Sequence, residues 1–479
     1  MQDHRRDLGK GFNWLGGATV AAKIIDFCTI LTMLLFLSKR QVGIASLVLS
    51  IGMVVEACNG LGTSEALIQS KTISRRQVDA LFWYVTGAAV LVGTLTLLAA
   101  PVIAAIYGMP GMATYFLAIA IKQPLVGIAL IPLAMMNRNL QFERIAIVNV
   151  CATFAAAATR LALGAGGAGV WALVAGYSAS GFYIMVGALL ARPYRPRLRL
   201  HLSAVLPLAR YGWRAATSNI SEQMFKNVDY MLIGWFYGPS LLAVYRVAFD
   251  VAMEPAMAVG TLVNRTALPV FARASAQAAD LTSILRWSLG KIAVLVAPLM
   301  AALVLAAGPL TAMLHDDRNS SYIAAATPLR FLAAAALLRV MTMLFSTMML
   351  GVGRPGMAAR LALATLLLLA SAILLVGLTF QAETGIIAAA AIWLGLYPPV
   401  LLWATWILWR RWRIRPGALA RAFAAPCIGI AALVLLVAGG DLLVGADPKA
   451  RLALVAAATA LIYAALFLWE RRRAPLPSQ

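Results

Sequence analysis

Long, uninterrupted apolar stretches alternate with short polar connectors along almost the whole chain. About fourteen of them reach the length of about 20 residues that a helix needs to cross a bilayer. They begin near Phe12, Gln41, Leu81, Met112, Ile145, Gly169, Gly212, Leu241, Trp287, Ile323, Met357, Ile386, Leu419 and Leu452. The stretches are continuous and lack the alternation of apolar and polar residues that is typical of transmembrane β-strands. The pattern therefore predicts an all-α membrane protein with about 14 transmembrane helices.

The composition points in the same direction. Of the 479 residues, 62% are hydrophobic and 12% are charged, and the mean hydropathy is +0.85. A soluble domain carries about 25% charged residues, so a water-soluble globule is excluded, and so are a disordered chain and a disulfide-rich secreted module. The connectors are mostly about 4 to 20 residues long, which leaves no room for a soluble catalytic domain.

The formal net charge of +22 indicates topology. Lysine and arginine gather in every second connector, by roughly five to one, as they do in cytoplasmic loops. This distribution predicts an even number of spans with both termini cytoplasmic, and only Lys39 and Arg40 depart from it clearly. Because the charge is spread over many connectors and forms no stripe, membrane lipids are expected as partners and nucleic acid is not.

The sequence offers no motif for nucleotide hydrolysis or for a catalytic nucleophile. Gly164, Gly166 and Gly169 match a G-x-G-x-x-G pattern, but no strand precedes them and they fall in a hairpin between two spans. The four cysteines and three histidines are scattered without metal-binding spacing. We therefore expect no metal and no cofactor, and we do not expect an enzyme.

Charged side chains inside the predicted spans are the most informative residues. Each costs about 2.5 to 3.5 kcal/mol at the bilayer centre, so a large set must pair or face internal water. The basic members are candidates for binding phosphate and acidic sugars: Lys23, Lys122, Arg160, Lys226, Arg246, Arg330 and Arg339. The acidic members are candidates for ion or proton coupling, because burial favours proton uptake by a carboxylate: Asp26, Glu56, Glu222, Asp229, Asp250 and Glu254.

The spacing of these charges allows two interpretations. Several lie three or four residues apart on one helical face, so salt bridges within a helix would neutralise them for insertion. Lys122, Arg160, Arg330 and Arg339, however, have no acidic residue within one turn. They therefore need a partner on another helix or an anionic ligand.

A short Lys-x-x-Asp pattern occurs at Lys23 and Asp26 in span one and again at Lys226 and Asp229 in span seven. This recurrence favours two pseudo-symmetric six-helix lobes in the same orientation. The predicted division is an N-terminal lobe at 1–200, a C-terminal lobe at 201–415, and two additional spans with a cytoplasmic tail at 416–479.

Several segments resemble Wzx-type oligosaccharide flippases, and among these the colanic-acid branch. The matching segments are Gly60-Leu61-Gly62 with Ala66-Leu67-Ile68-Gln69, Phe82-Trp83, Asn137 to Phe142, Gly169 to Leu173, Asn227 to Gly234, Val263-Asn264-Arg265 and Pro269-Val270-Phe271. The resemblance implies the fold of the multidrug/oligosaccharidyl-lipid/polysaccharide (MOP) exporter superfamily. In that fold two six-helix lobes surround a central cavity and rock between inward-open and outward-open states.

The resemblance also implies a cargo and a location. The cargo is an undecaprenyl-diphosphate-linked oligosaccharide, which is flipped across the bacterial inner membrane by alternating access for export of exopolysaccharide or O-antigen. Implied partners are this lipid-linked oligosaccharide and membrane lipids, with a polysaccharide polymerase and a chain-length regulator as further candidates.

Three alternatives stay open. A proton-coupled multidrug exporter of the same superfamily is disfavoured by the surplus of internal lysine and arginine. A lipid II flippase would share the cationic cavity. A membrane glycan polymerase or ligase is disfavoured by the short outward loops.

Overall fold

A computed structural model describes residues 2–59, 67, 74–197, 202–276, 281–316, 320–414, 416–444 and 447–473. These residues are almost entirely helical, and thirteen of their helices are long and apolar enough to cross a membrane. One of the thirteen, Asn219–Ser275, has 57 residues and breaks at Gly238, where φ is 78° and ψ is 175°. Only glycine adopts this conformation readily. Counted as two spans, this helix brings the number to fourteen and confirms the predicted fold class.

The helices follow one another with short connections. Those of the first part of the chain are α1 (Gln2–Met33), α2 (Lys39–Ala57), α3 (Arg75–Ile106), α4 (Phe116–Arg138), α5 (Phe142–Ala165) and α6 (Val170–Ala191). Those that follow are α7 (Leu202–Ala276), α8 (Leu281–Met313), α9 (Ala326–Gly351), α10 (Pro355–Thr379), α11 (Ala382–Trp412), α12 (Ala424–Val444) and α13 (Pro448–Arg473). Short helical turns lie between some of them, at Pro110–Tyr115, Ile323–Ala325, Pro416–Ala420 and Arg421–Phe423.

Two neighbouring helices begin with the same local sequence and the same cap. Ser38 precedes α2 and Ser74 precedes α3, and each is followed by two basic residues and a glutamine. In both cases the serine hydroxyl accepts a hydrogen bond from the glutamine backbone N–H, and the glutamine side chain accepts one from the serine N–H at 2.9 Å. This capping box satisfies backbone donors that a helix start would otherwise leave unpaired.

The chain divides into two compact units. One comprises the described residues up to Ala243, together with Asp316, and the other comprises the rest from Val244 onward. The boundary between the units therefore lies within α7. The predicted lobe boundaries at 200/201 and 415/416 fall on residues outside the described set, or next to them, so the division into 1–200, 201–415 and 416–479 stays a prediction. The same applies to most of the Gly60 to Gln69 motif, of which only Leu67 is described.

Within the first unit, α1 packs on α5, α5 on α6, α3 on α4, and α4 on α6. The first half of α7 approaches α2 so closely that a Cβ atom added to Gly43 would lie 1.7 Å from the carbonyl oxygen of Pro239. Within the second unit, α9 packs on α8 and α11, and α13 packs on α8 and α12. Large aliphatic side chains such as Leu98 and Leu378 are exposed, as expected for surfaces that face lipid.

Candidate functional site

Charged residues of the first unit pair across helices. The Nζ of Lys122 in α4 lies 2.7 Å from Oε2 of Glu56 in α2. The Nη1 of Arg160 in α5 lies 2.9 Å from Oδ1 of Asp26 in α1. These two contacts confirm, for Lys122 and Arg160, the prediction that a cation without an acidic residue within one turn needs a partner elsewhere.

One carboxylate oxygen of Glu56 accepts hydrogen bonds from two donors. The hydroxyl of Tyr177 in α6 donates a hydrogen bond to the same Oε2 that accepts from Lys122. The Lys122 Nζ also lies 3.3 Å from the centroid of the Tyr177 ring, a cation–π contact. The Lys122 side chain is 4% exposed, whereas 30% of the Glu56 side chain is exposed. The ammonium is therefore enclosed, while its carboxylate partner remains partly accessible.

The two ion pairs belong to one electrostatic site. Arg160 interacts electrostatically with both Lys122 and Tyr177. We call the five residues Asp26, Glu56, Lys122, Arg160 and Tyr177 the N-terminal charge cluster. Its two cations are balanced by its two carboxylates, so a further anion must displace a carboxylate from its cation in order to bind.

Two glycines of α6 make room for the stems of these cations. A Cβ atom added to Gly176 would lie 2.1 Å from Cγ of Arg160, and one added to Gly181 would lie 2.8 Å from Cγ of Lys122. Real Cβ atoms do not approach other heavy atoms this closely, so a larger residue would push the stem aside. Helix α6 thus positions both cations.

Other predicted residues of the first unit have different surroundings. The Nζ of Lys226 lies 2.5 Å from Oε1 of Glu222, four residues earlier, and both side chains are exposed. This is the pairing within one helix that the spacing allowed. Asp229 is fully buried, and its Oδ1 accepts a hydrogen bond from the backbone N–H of Tyr230 at 2.9 Å. Lys23 is exposed on α1, one turn before Asp26.

In the second unit, Arg246 and Asp250 form a pair within α7. The Nε of Arg246 lies 2.8 Å from Oδ2 of Asp250, and both side chains are largely buried. Glu254 follows one turn later on α7 and is half-buried. Arg330 is exposed near the beginning of α9.

Arg339 lies against aromatic rings. Its guanidinium carbon is 4.8 Å from the ring centroid of Trp393 and 5.8 Å from that of Phe249. The Nε1 of Trp393 donates a hydrogen bond to the Tyr245 hydroxyl at 2.8 Å. We call Tyr245, Phe249, Arg339 and Trp393 the C-terminal aromatic cluster. Its rings stabilise a buried cation through their quadrupoles.

Sequence reasoning missed several of these residues. Tyr177 and Trp393 lie in continuous apolar runs, where an aromatic residue carries no signal of function. Asp79 was also missed. It is fully buried in the first turns of α3, and its Oδ1 accepts a hydrogen bond from the Tyr194 hydroxyl at 2.5 Å. Burial and this hydrogen bond raise the pKa of Tyr194. The signal that could have found Asp79 is a lone carboxylate two residues before the apolar stretch that begins near Leu81.

Within the described ranges, no group of three or more His, Cys, Asp or Glu side chains could hold a metal ion. What the N-terminal charge cluster can do is exchange partners. Each cation can leave its carboxylate for a competing anion that carries more negative charge.

Residues 33–324 match the model of a family described as polysaccharide biosynthesis protein. The lipopolysaccharide biosynthesis protein WzxC of Escherichia coli (strain K12) is 23% identical over 274 residues, which are 55% of this chain and 54% of the relative. The teichuronic acid biosynthesis protein TuaB of Bacillus subtilis (strain 168) is 25% identical over 306 residues, which are 62% of each chain. The chain thus spans between about half and three fifths of the length of these curated relatives.

Two solved structures share the fold. The lipid II flippase MurJ, in an inward closed conformation, has a TM-score of 0.76 and 13% identity and covers 95% of this chain and 99% of its own. An inward-facing multidrug resistance transporter of the MATE family in the MOP superfamily has a TM-score of 0.62 and 14% identity. The match covers 84% of this chain and 96% of that transporter. At these identities the likeness concerns the fold alone. It confirms an all-helical, multi-pass architecture like that of these two proteins.

Proposed function

Because this chain belongs to the polysaccharide biosynthesis protein family, we propose that it flips an undecaprenyl-diphosphate-linked oligosaccharide across the bacterial inner membrane by alternating access. The product would serve export of an exopolysaccharide or O-antigen. The names of both curated relatives support polysaccharide biosynthesis as the process. The MurJ fold supports a lipid-linked saccharide as the class of cargo. In this proposal both termini are cytoplasmic, as the distribution of lysine and arginine predicts.

The observation that carries the proposal is that Lys122 and Arg160 each face a carboxylate from another helix. A diphosphate offers more oxygens and more negative charge than a carboxylate, and guanidinium groups bind phosphate in a bidentate geometry. A diphosphate can therefore replace Glu56 or Asp26 as the partner. Because each ion pair joins two helices, such a replacement releases a contact between helices and favours a different packing.

Proton coupling follows from the same exchange. When Lys122 turns to the diphosphate, Glu56 loses the cation that compensates its charge, and a proton would replace that cation as its partner. Asp26 and Arg160 are related in the same way. We assign Lys23, Lys226, Arg246, Arg330 and Arg339 as further contacts to phosphate or acidic sugars. We assign Glu222, Asp229, Asp250 and Glu254 as further coupling groups.

The test is a flipping assay in proteoliposomes that contain an undecaprenyl-diphosphate-linked oligosaccharide. A soluble glycosidase that cannot cross the bilayer reports exposure of the sugar on the opposite leaflet. We expect exposure to require this protein and to be lost in the Lys122→Met variant. Formation of new glycosidic bonds by the purified protein, without flipping, would identify a polymerase or ligase and overturn the proposal.

Flipping of lipid II is the second candidate, and the similarity to MurJ along nearly the whole chain favours it. Rescue of cells depleted of their lipid II flippase would support this cargo. Accumulation of another lipid-linked repeat unit in cells that lack this protein would support the first candidate function.

A multidrug exporter needs carboxylates that meet a cationic drug, whereas Glu56 and Asp26 are engaged by Lys122 and Arg160.

Co-purification would test the proposed association with a polysaccharide polymerase and a chain-length regulator.

A further inference from the structure

The contact between α1 and α5 changes character along the two helices. Toward the ends of both helices the packing is tight, since a Cβ atom added to Gly164 would lie 2.5 Å from Cε of Met33. Further back, Asp26 and Arg160 bridge the helices with their ion pair. At the middle of α1 and in the first half of α5, the same two helices leave a cavity of about 490 Å³ between them.

The cavity is apolar and is made by small residues. On α1 it is lined by Gly17, Ala18 and Ala21, which offer no side chain beyond a β-carbon. On α5 its lining includes Ile147 and Cys151, and both are exposed at the protein surface. Because the exposed lining is apolar, the opening of the cavity suits a hydrocarbon chain. Its volume lies within the range of about 300 to 1,000 Å³ that is usual for small-molecule sites.

We propose that this cavity, the α1–α5 groove, binds the isoprenoid chain of the carrier lipid while the diphosphate is bound by Arg160. This inference rests on the proposed function and names the part of the protein that would hold the lipid. Ala21 and Asp26 are five positions apart and Cys151 and Arg160 are nine positions apart, which is about 8 Å and about 14 Å along the helix axes. An apolar groove at this distance from a guanidinium fits an amphiphile with an anionic head and a hydrocarbon chain.

The choice of an isoprenoid over an ordinary acyl chain rests on the cargo of the proposed function, whose hydrocarbon chain carries a methyl branch on every fourth carbon of its main chain. Gly17, Ala18 and Ala21 leave space for such branches by omitting larger side chains on one wall. A phospholipid chain is the competing occupant, and the experiment separates the two.

Cys151 provides a native reporter within the groove. In a variant with Cys28→Ala, Cys58→Ala and Cys427→Ala, only Cys151 remains of the four free cysteines. Its rate of modification by a membrane-permeant thiol reagent is measured in nanodiscs, with and without undecaprenyl phosphate. At about five times the dissociation constant, modification should slow about sixfold, because only the unoccupied fraction reacts. A variant that retains only Cys427, which is exposed on α12 of the second unit, should show no slowing.

Phosphatidylglycerol at the same concentration distinguishes the sources of the chain. Protection by undecaprenyl phosphate alone supports the proposal. Equal protection by phosphatidylglycerol would show an ordinary lipid contact, and no protection by either lipid would show an empty groove. Both of these results overturn the proposal.

Two adjacent glycines provide a matched pair of variants. Gly16 and Gly17 both have no atom within 4 Å of an added Cβ, but only Gly17 lines the cavity. Gly17→Leu should abolish protection of Cys151 and lower flipping about tenfold or more, equivalent to a rise of about 1.4 kcal/mol in the barrier to flipping. Gly16→Leu should preserve both the protection and the flipping. Normal flipping and protection in Gly17→Leu would contradict lipid binding in the groove.

The protection assay requires neither a sugar nor transport. If Cys151 is protected but no oligosaccharide is flipped, lipid binding in the groove is supported and the proposed function is contradicted. If oligosaccharide is flipped without protection of Cys151, the proposed function is supported and lipid binding in the groove is contradicted.

Discussion

The two units hold their buried cations in different ways. In the N-terminal charge cluster, the ion pairs join α4 to α2 and α5 to α1. In the second unit, Arg246 pairs with Asp250 on its own helix, and Arg339 rests on the rings of Trp393 and Phe249. A pair within one helix moves with that helix, whereas a pair between helices must break when the helices move. In the proposed mechanism, the first unit is therefore the place where a competing anion changes helix packing.

The largest effect is expected from removing one partner of a pair between helices. Glu56→Ala takes away the carboxylate that accompanies Lys122, whose side chain is only 4% exposed. An uncompensated buried charge costs about 3 to 5 kcal/mol, so thermal unfolding in detergent should shift strongly downward. The double variant Glu56→Gln/Lys122→Met removes both charges and should recover most of this stability without recovering transport. A single variant as stable as the parent would show that the pair does not hold α2 against α4.

A loss of transport is expected from the pair within α7. Arg246→Ala removes the cation that contacts Asp250 at 2.8 Å, and with it a proposed contact to the substrate. We expect flipping to be abolished in a proteoliposome assay at equal protein content. The control is Arg246→Lys, which keeps the charge but loses the planar guanidinium that binds phosphate in a bidentate manner. Unchanged flipping by Arg246→Ala would remove this residue from the proposed contacts.

A moderate effect is expected from filling the glycine notch beside Arg160. Gly176→Ala places a methyl group where it collides with the Arg160 stem, and overpacking of this kind costs about 1 to 3 kcal/mol. The midpoint of thermal unfolding and the flipping rate should both fall. Gly395→Ala in α11 has no atom within 4 Å of the new Cβ and should instead stabilise its helix by up to about 1 kcal/mol. Equal behaviour of the two variants would mean that α6 does not position Arg160.

The smallest change in stability is expected at the exposed pair on α7. Lys226 and Glu222 are four residues apart, with side chains 40% and 61% exposed, and such pairs contribute only about 0.3 to 0.5 kcal/mol. Lys226→Ala should therefore unfold at nearly the same temperature as the parent. A lower flipping rate in this variant would then indicate that Lys226 contacts the substrate. An unchanged flipping rate would indicate that the pair only neutralises charge for membrane insertion.

The fold could be predicted because the length of an apolar run is a local property of the sequence. The form of the connections could not. Apolar stretches beginning at Gly212 and Leu241 indicate two spans, but they do not distinguish two separate helices from the single helix α7 that breaks at Gly238.

The candidate site could likewise be predicted from the sequence only in part. The cost of burying Lys122 and Arg160 predicts that each has a partner, since neither has one within a turn. The identity of the partners depends on tertiary packing, because Glu56 lies 66 residues from Lys122 and Asp26 lies 134 residues from Arg160. Gly176 looked like any glycine in an apolar helix, although its missing side chain decides where Arg160 lies.

Affinity for undecaprenyl diphosphate tests most directly whether the N-terminal charge cluster binds the head group of a lipid-linked saccharide. The comparison is between the parent protein and the Glu56→Gln/Lys122→Met variant, in which the Glu56–Lys122 pair of the cluster is neutralised without a buried unpaired charge. We predict that the dissociation constant rises at least about tenfold, a loss of about 1.4 kcal/mol, while Lys226→Ala changes it much less. Equal affinity of the parent and the double variant would contradict the assignment of Lys122 to the phosphate site.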